Sequence, residues 1–239
     1  MAVRNSPLAI FKPMRHLTLL LITAFLVLTA KATYCEFTAE WILLAEEDNI
    51  RVLKKAEVDG RATPFKSEAE IDASVEQVLN IILDFERKPE WSPKCEKVTL
   101  IRKHSDFNYF VKEKYLTPWP VRDREFFLLG EIIINRDGVI ITARSDDPQG
   151  LADPECITAE VSELDIILNR LPENRTEMVF IFQGDLKGWL PEWLNDLVEE
   201  AWPLQFMQGL RAQLKKEDIS WCPRYKAIAH KFRVKTSAR

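Results

Sequence analysis

From residue 95 onward, apolar and polar positions fall into short runs that predict strands: Cys95 to Arg102, Phe107 to Leu116, Arg124 to Asn135, Val139 to Ser145, Cys156 to Leu171 and Arg175 to Gln183. Turn-forming groups such as Arg136-Asp137-Gly138 and Pro172-Glu173-Asn174 separate them, which predicts an antiparallel meander. Phe126-Phe127-Leu128-Leu129 and Ile132-Ile133-Ile134 are apolar at consecutive positions, so both faces of the sheet are expected to meet apolar material. Ahead of the meander, Phe37, Trp41, Leu44 and Ala45 lie three and four apart and predict a short helix over Phe37 to Glu47. Ile50 to Val58 and Pro64 to Ile71 read as strands around an Asp59-Gly60 turn. Val75 to Phe85 returns to a helical period behind Asp72 or Ser74 as cap. At the other end, Leu190, Trp193, Leu194, Leu197, Ala201, Leu204, Met207 and Leu214 form the stripe of a helix over Leu190 to Lys216, which Pro203 should kink or interrupt. A twisted antiparallel sheet with one long helix at its end curls until the helix covers the open mouth, and what lies between is core or cavity.

The first residues follow another pattern. Basic residues up to Arg15 and His16 precede an uncharged apolar run from Leu17 to Thr29 and then Ala30-Lys31-Ala32, a secretory leader pattern with cleavage after Ala32. Spanning a bilayer takes about 20 apolar residues, so cleavage is favoured over a membrane anchor. The division expected is a leader over 1–32, one domain over 33–216 and a basic tail over 217–239. Export is expected, to the periplasm of a bacterium or the secretory pathway of a eukaryote, with the compact leader from Met14 favouring the former.

Charge narrows the partners. The formal net charge is −4, yet Met1 to Ala32 holds Arg4, Lys12, Arg15 and Lys31 and no acid, leaving the remainder clearly acidic. Nucleic acid is therefore not an expected partner. Arg224, Lys226, Lys231, Arg233, Lys235 and Arg239 close the chain without an acid after Trp221. Such a run reads first as a tail in solvent, and second as a contact for anionic headgroups.

Candidate chemistry is sparse. Cys35, Cys95, Cys156 and Cys222 permit two disulfides after export, in three connectivities that spacing does not distinguish. His16, His104 and His230 are too scattered for a zinc site, and neither a Gly-x-Ser-x-Gly elbow nor a phosphate-binding glycine loop occurs. No cofactor or metal is expected. Asn174-Arg175-Thr176 fits a glycosylation acceptor on a hairpin tip, relevant in a eukaryotic host. Along Phe107 to Leu116, Phe107, Tyr109, Val111, Glu113 and Tyr115 alternate with Asn108, Lys112 and Lys114, which places Glu113 on the inward face. A buried acid needs a partner, and Arg124 and Arg144 are the candidates.

Three segments, Glu90-Trp91-Ser92-Pro93, Pro118-Trp119-Pro120-Val121-Arg122-Asp123-Arg124-Glu125-Phe126 and Asp185-Leu186-Lys187-Gly188-Trp189-Leu190-Pro191, together resemble the motifs of START domains: E-W-N-P, R-[DE]-[FY] after a Pro-rich turn, and D-x-K-G-x-[IL]-P before the last helix. The resemblance spans Phe37 to Lys216. It implies an α+β helix-grip fold, a curved antiparallel β-sheet around an apolar tunnel closed by a long C-terminal helix. It also implies one bound lipid (a sterol, phospholipid or ceramide in similar domains), transient contact with a membrane surface, and a flexible loop near the tunnel mouth at Asp146 to Glu155. A monomer without catalysis is expected.

The candidate ligand-contacting residues are Glu113, Tyr115, Arg124, Phe126, Leu128 and Arg144 on the strands, with Trp193, Leu197, Leu204 and Met207 on the closing helix. Of Trp91, Trp119, Trp189, Trp193 and Trp202, two are expected beside ligand. Relatives that bind sterol or phosphatidylcholine carry a tunnel arginine six residues after the motif arginine. Here that position is Gly130, which would widen the tunnel, with Arg144 as a substitute cation. The alternatives are a helix-grip enzyme acting on an aromatic or polyketide-like substrate and a lipid-sensing interaction module.

Overall fold

The computed structural model describes residues 41–55, 63–191, 193–194 and 197–236. Ten strands form one sheet: β1 (Trp41–Glu47), β2 (Ile50–Lys55), β3 (Phe65–Ile71), β4 (Cys95–Lys103), β5 (Asn108–Tyr115), β6 (Arg124–Ile134), β7 (Gly138–Ser145), β8 (Ile157–Thr158), β9 (Glu160–Leu171) and β10 (Arg175–Asp185). Their spatial order is β1-β2-β3-β10-β9-β7-β6-β5-β4, with the two residues of β8 pairing β6 in parallel. Among the described residues, three α-helices of eight or more residues accompany the sheet: α1 (Val75–Leu83), α2 (Trp202–Leu214) and α3 (Pro223–Thr236).

Strand β1 corrects the helix expected over Phe37 to Glu47, of which 37–40 lie outside the described residues. Trp41 pairs with Lys55 and Glu47 with Ile50, and the register shifts between Leu43 and Ala45. That bulge at Leu44 breaks the alternation of a strand, so the apolar residues fall at a spacing that imitates a helix. Asp48 and Asn49 both adopt positive φ, at 51° and 58°, as a two-residue hairpin turn requires. The Asp59-Gly60 turn is outside the described residues. Its flanking strands pair from Ile50 with Ala69 to Lys54 with Phe65.

Alternation decides which face each strand buries. Val111, Phe126, Leu128, Ile166, Phe180 and Phe182 face one core, against Val75, Val78, Leu79 and Ile82 of α1 and Phe206, Met207 and Leu210 of α2. Helix α1 starts at Ser74, whose Oγ accepts from the Gln77 amide at 3.3 Å while the Ser74 amide donates to Gln77 Oε1 at 3.0 Å, a reciprocal cap. Helix α2 lies close on the turn of Trp91. A Cβ at Gly209 would stand 2.0 Å from the Trp91 carbonyl oxygen, so only glycine permits the approach.

The expected helix over Leu190 to Lys216 is interrupted. A π-helical turn over Leu197–Ala201 precedes α2, and Pro203 sits in the first turn of α2. Proline lacks an N–H, and the first turn of a helix is where none is needed. The tail expected in solvent is instead helix α3, with Tyr225, Ile228 and Phe232 buried. Those residues lie three and four apart, a helical signal that the basic count obscured. The chain is tied there by Asn80, whose Nδ2 donates to the Ser220 carbonyl at 3.0 Å and whose Oδ1 accepts from the Cys222 amide at 2.8 Å.

Cys95, Cys156 and Cys222 are buried free thiols, so two disulfides do not form among them. Cys35 is outside the described residues, as is the whole leader. Cys222 packs on Asn80, Cys156 beside Asp153 and Cys95 on β4 opposite Tyr115. No helix among the described residues is long and apolar enough to cross a membrane.

Candidate functional site

Between the sheet and α2 lies a cavity of about 130 Å³. Its walls come from Phe65 of β3, Glu113 and Tyr115 of β5, Arg124, Phe126 and Leu128 of β6, Val161, Leu164 and Ile166 of β9, and Phe180 and Phe182 of β10. Leu186, Leu190, Leu194 and Val198 cover it, and Trp202 and Phe206 of α2 complete it. The cavity occupies only one end of the grip. At the other, Tyr109, Ile132, Val139, Leu168 and Met178 close around α1 as ordinary core.

The polar groups gather on β5 and the turn before β4. Lys88, on the 3₁₀ turn Lys88–Glu90, places Nζ 2.5 Å from Glu113 Oε1, and the Tyr115 hydroxyl donates to Glu113 Oε2 at 2.8 Å. Glu113 is buried, and neither Arg124 nor Arg144 is its partner. Burial, with the Glu113 carboxylate nearby, pushes the Tyr115 phenol well above the usual tyrosine range. Burial also pushes the adjacent Cys95 thiol up to about 11, so it stays protonated near neutrality.

Arg124 turns away from the acid. Its guanidinium donates to the carbonyls of Arg122, Leu186 (3.2 Å), Lys187 (2.9 Å) and Trp189 (3.4 Å). Burial, with Arg122 nearby, holds it below the usual arginine range. The segment it grips begins the cover, at Lys187 and Gly188 with φ of 53° and 69°. Asp185 shapes the same turn by accepting from the Lys187 amide at 2.7 Å.

Five of the ten candidate residues, Glu113, Tyr115, Arg124, Phe126 and Leu128, are thus brought together at the cavity. Four of the others are placed elsewhere. Arg144 pairs with Leu129 on the outward parity of β6 and β7 and is exposed, so it supplies no cavity charge. Trp193 is half exposed outside the cover. Leu204 and Met207 pack in the core beside the cavity rather than on its wall. The side chain of Leu197 lies outside the described residues. The inward stripe is Val198, Trp202 and Phe206, a spacing of four that was present in the sequence but competed with several equivalent stripes.

Gly130 does not widen the space. It stands opposite Tyr109, which is buried and packed edge-on to Phe85 at 5.8 Å, and it does not line the cavity. Of the five tryptophans, Trp202 alone contributes wall, and Trp91 packs against Phe206 at 5.1 Å.

None of the loop Asp146 to Glu155 lines the cavity. It lies on the outer face of β5 and β6, where Lys112 Nζ donates to the Leu151 carbonyl at 3.0 Å, Glu125 Oε1 accepts from the Asp153 amide at 2.9 Å, and Arg122 holds the Glu155 carbonyl at 3.1 Å. The lining residues that are exposed, Lys94, Leu116 and Pro118, mark where the cavity reaches the surface and so its mouth. Leu116 is 44% exposed, and two exposed tryptophans adjoin lining residues in the chain: Trp119, next to Pro118, is 91% exposed, and Trp189, next to Leu190, is 67% exposed. The signal was a set of tryptophans adjoining the two motif turns, which resembled core in the sequence.

Comparison with known proteins agrees with this geometry. The family model for the START domain matches residues 29–218. An uncharacterized protein of Pseudomonas aeruginosa is 23% identical over 185 residues, covering 74% of this chain and 88% of that protein. Human StAR-related lipid transfer protein 5 superposes with a TM-score of 0.68 at 18% identity, over 83% of this chain and 97% of that one. A STAR-related lipid transfer protein from Xanthomonas axonopodis gives 0.64 at 20% identity, over 74% and 99%. Both structures share the fold.

Proposed function

This chain belongs to the START domain family, and from that premise we propose that it encloses one lipid in the cavity, carries it between membranes as a monomer, and leaves it chemically unchanged. The observation that supports this most is an apolar cavity whose lining residues Pro118 and Leu190 adjoin the exposed Trp119 and Trp189 in the chain. Tryptophan favours the boundary between headgroups and acyl chains, so Trp119, Trp189 and Trp193 would seat the mouth on a bilayer while the ligand passes.

Size supports a moving cover. An apolar void of about 150 Å³ accommodates a molecule the size of benzene, so the present 130 Å³ holds one ring or a few methylenes. Admission of a whole lipid then requires the covering residues Leu186, Leu190, Leu194 and Val198 to move outward. One ion pair, Lys54 Nζ to Glu199 Oε2 at 2.5 Å, ties that turn to β2. Each methylene transferred from water contributes about 0.8 kcal/mol, which offsets the opening.

Native mass spectrometry of protein from its own host is expected to show one lipid per chain, released unaltered on denaturation. With that lipid in phosphatidylcholine vesicles, the combined Trp119→Ala, Trp189→Ala, Trp193→Ala variant is expected to transfer it at least tenfold more slowly while still binding it. A bound lipid that the native protein never transfers would turn the reading to a sensing module. An empty protein that converts an added aromatic substrate would replace it with the enzyme. Export belongs to the same proposal, and the mature protein is expected to begin at Thr33 when its N-terminus is sequenced.

A further inference from the structure

The cavity's buried ion pair has unspent bonding capacity of both kinds. Lys88 and Glu113 reach the cavity wall with side chains only 16% and 8% exposed. The ammonium has three N–H donors, of which one is directed to Glu113 Oε1. The carboxylate has about four lone-pair sites, of which Lys88 and the Tyr115 hydroxyl occupy one on each oxygen. The other cations on the wall are differently committed: Arg124 directs its fork at backbone carbonyls, and Lys94 is exposed.

We infer that Lys88 and Glu113 together determine ligand specificity, selecting an amphiphile whose polar end is a single uncharged hydroxyl. This rests on the reading of the cavity as a lipid site. A hydroxyl donates one proton and accepts another, so it can donate to Glu113 while accepting from Lys88. A carboxylate or phosphate at the same place meets Glu113 with like charge, and an ammonium meets Lys88. In a poorly solvated cavity either repulsion is strong. The pair is neutral as a whole, so a neutral ligand leaves the buried charge balanced, whereas an ionic one brings a charge with no partner. Lys88 comes from the turn before β4, not from the sheet, so the selecting cation is supplied by a different segment from the strand that carries Gly130.

The test uses three probes with one chain length, octan-1-ol, octanoate and octylammonium, titrated calorimetrically into the full chain at pH 7.5. The native protein is expected to bind octan-1-ol at least tenfold more tightly than either ion. Lys88→Met leaves Glu113 alone and is expected to move the ranking at least tenfold towards octylammonium, and Glu113→Gln leaves Lys88 and moves it likewise towards octanoate. Lys88→Arg keeps the charge and should keep the native ranking. Should a single variant fail to fold, the double variant Lys88→Met, Glu113→Gln carries no charge to bury and is expected to bind octan-1-ol at least tenfold more weakly than the native protein. A ranking that the single variants leave unchanged, or undiminished alcohol binding by the double variant, overturns the assignment while lipid binding itself stands. If no probe binds the native protein, the lipid reading falls and this inference with it.

Discussion

Glu125→Ala is expected to destabilise the protein by about 3 kcal/mol, the lower end of what removing one partner of a buried ion pair costs. Glu125 is fully buried on the outer face of β6, and Lys112 Nζ lies 2.6 Å from its Oε2 in an ionic contact. Its Oε1 accepts from the Asp153 amide and from the Thr158 hydroxyl, both at 2.9 Å. Alanine leaves the ammonium of Lys112 with the Leu151 carbonyl and the face of Phe127, 5.2 Å away, as its remaining partners. For a chain of this size the melting temperature should fall by roughly 6–12 °C. Amide exchange should accelerate first across 146–159, because that loop is secured through this carboxylate. Thermal unfolding followed by circular dichroism, with exchange mass spectrometry, measures both. Native-like melting would show that the loop is held without Glu125.

Arg124→Met is expected to loosen the root of the cover. The native guanidinium joins carbonyls on either side of the turn at Lys187 and Gly188, and hydrogen bonds to a charged group contribute about 1.5–3 kcal/mol. Part of that loss returns as water reaches the exposed carbonyls of Lys187 and Trp189. A net cost of about 2–3 kcal/mol follows. The larger effect is local, with amides over 186–191 expected to exchange at least tenfold faster while the strands β9 and β10 keep their protection. Arg124→Lys should rescue only partly, since an ammonium cannot span several carbonyls with a planar fork. Uniform acceleration through the sheet would mean that Arg124 supports the whole fold and not the cover.

Much of the fold was legible because strand and helix periods are local properties. Six strands of the meander lie within a residue or two of their predicted bounds, except that Cys156 to Leu171 divides at Ala159 into β8 and β9. Strand parity correctly turned Glu113 inward, since a period of two carries over many residues once one face is known to be apolar. The same parity places Arg144 outward, and following it through the pairing of Gly130 with Ala143 would have removed that residue from the site. Helix α3 was legible too, in Tyr225, Ile228 and Phe232, but six basic residues with no acid outweighed a three-residue stripe.

The partner of Glu113 was not legible. Lys88 lies 25 positions earlier, on a turn whose approach depends on how Trp91 seats against α2 at Gly209. Nor could the sequence separate cavity from core. Phe206 and Met207 are neighbours on one helix, yet Phe206 lines the cavity and Met207 fills the core, because the boundary follows from how far α1 and α3 pack into the far end of the grip.

The amino-acid sequence by itself determined the element types, the inward and outward faces of most strands and the family to which the chain belongs, because each depends on residues a few positions apart or on motifs held in order. The tertiary structure decided the partner of the buried acid, the size of the cavity, the anchoring of the loop at 146–155 on the outer face and the exposure of Trp119 and Trp189. Those depend on distances between segments remote in the chain, which only the packed sheet and helices set.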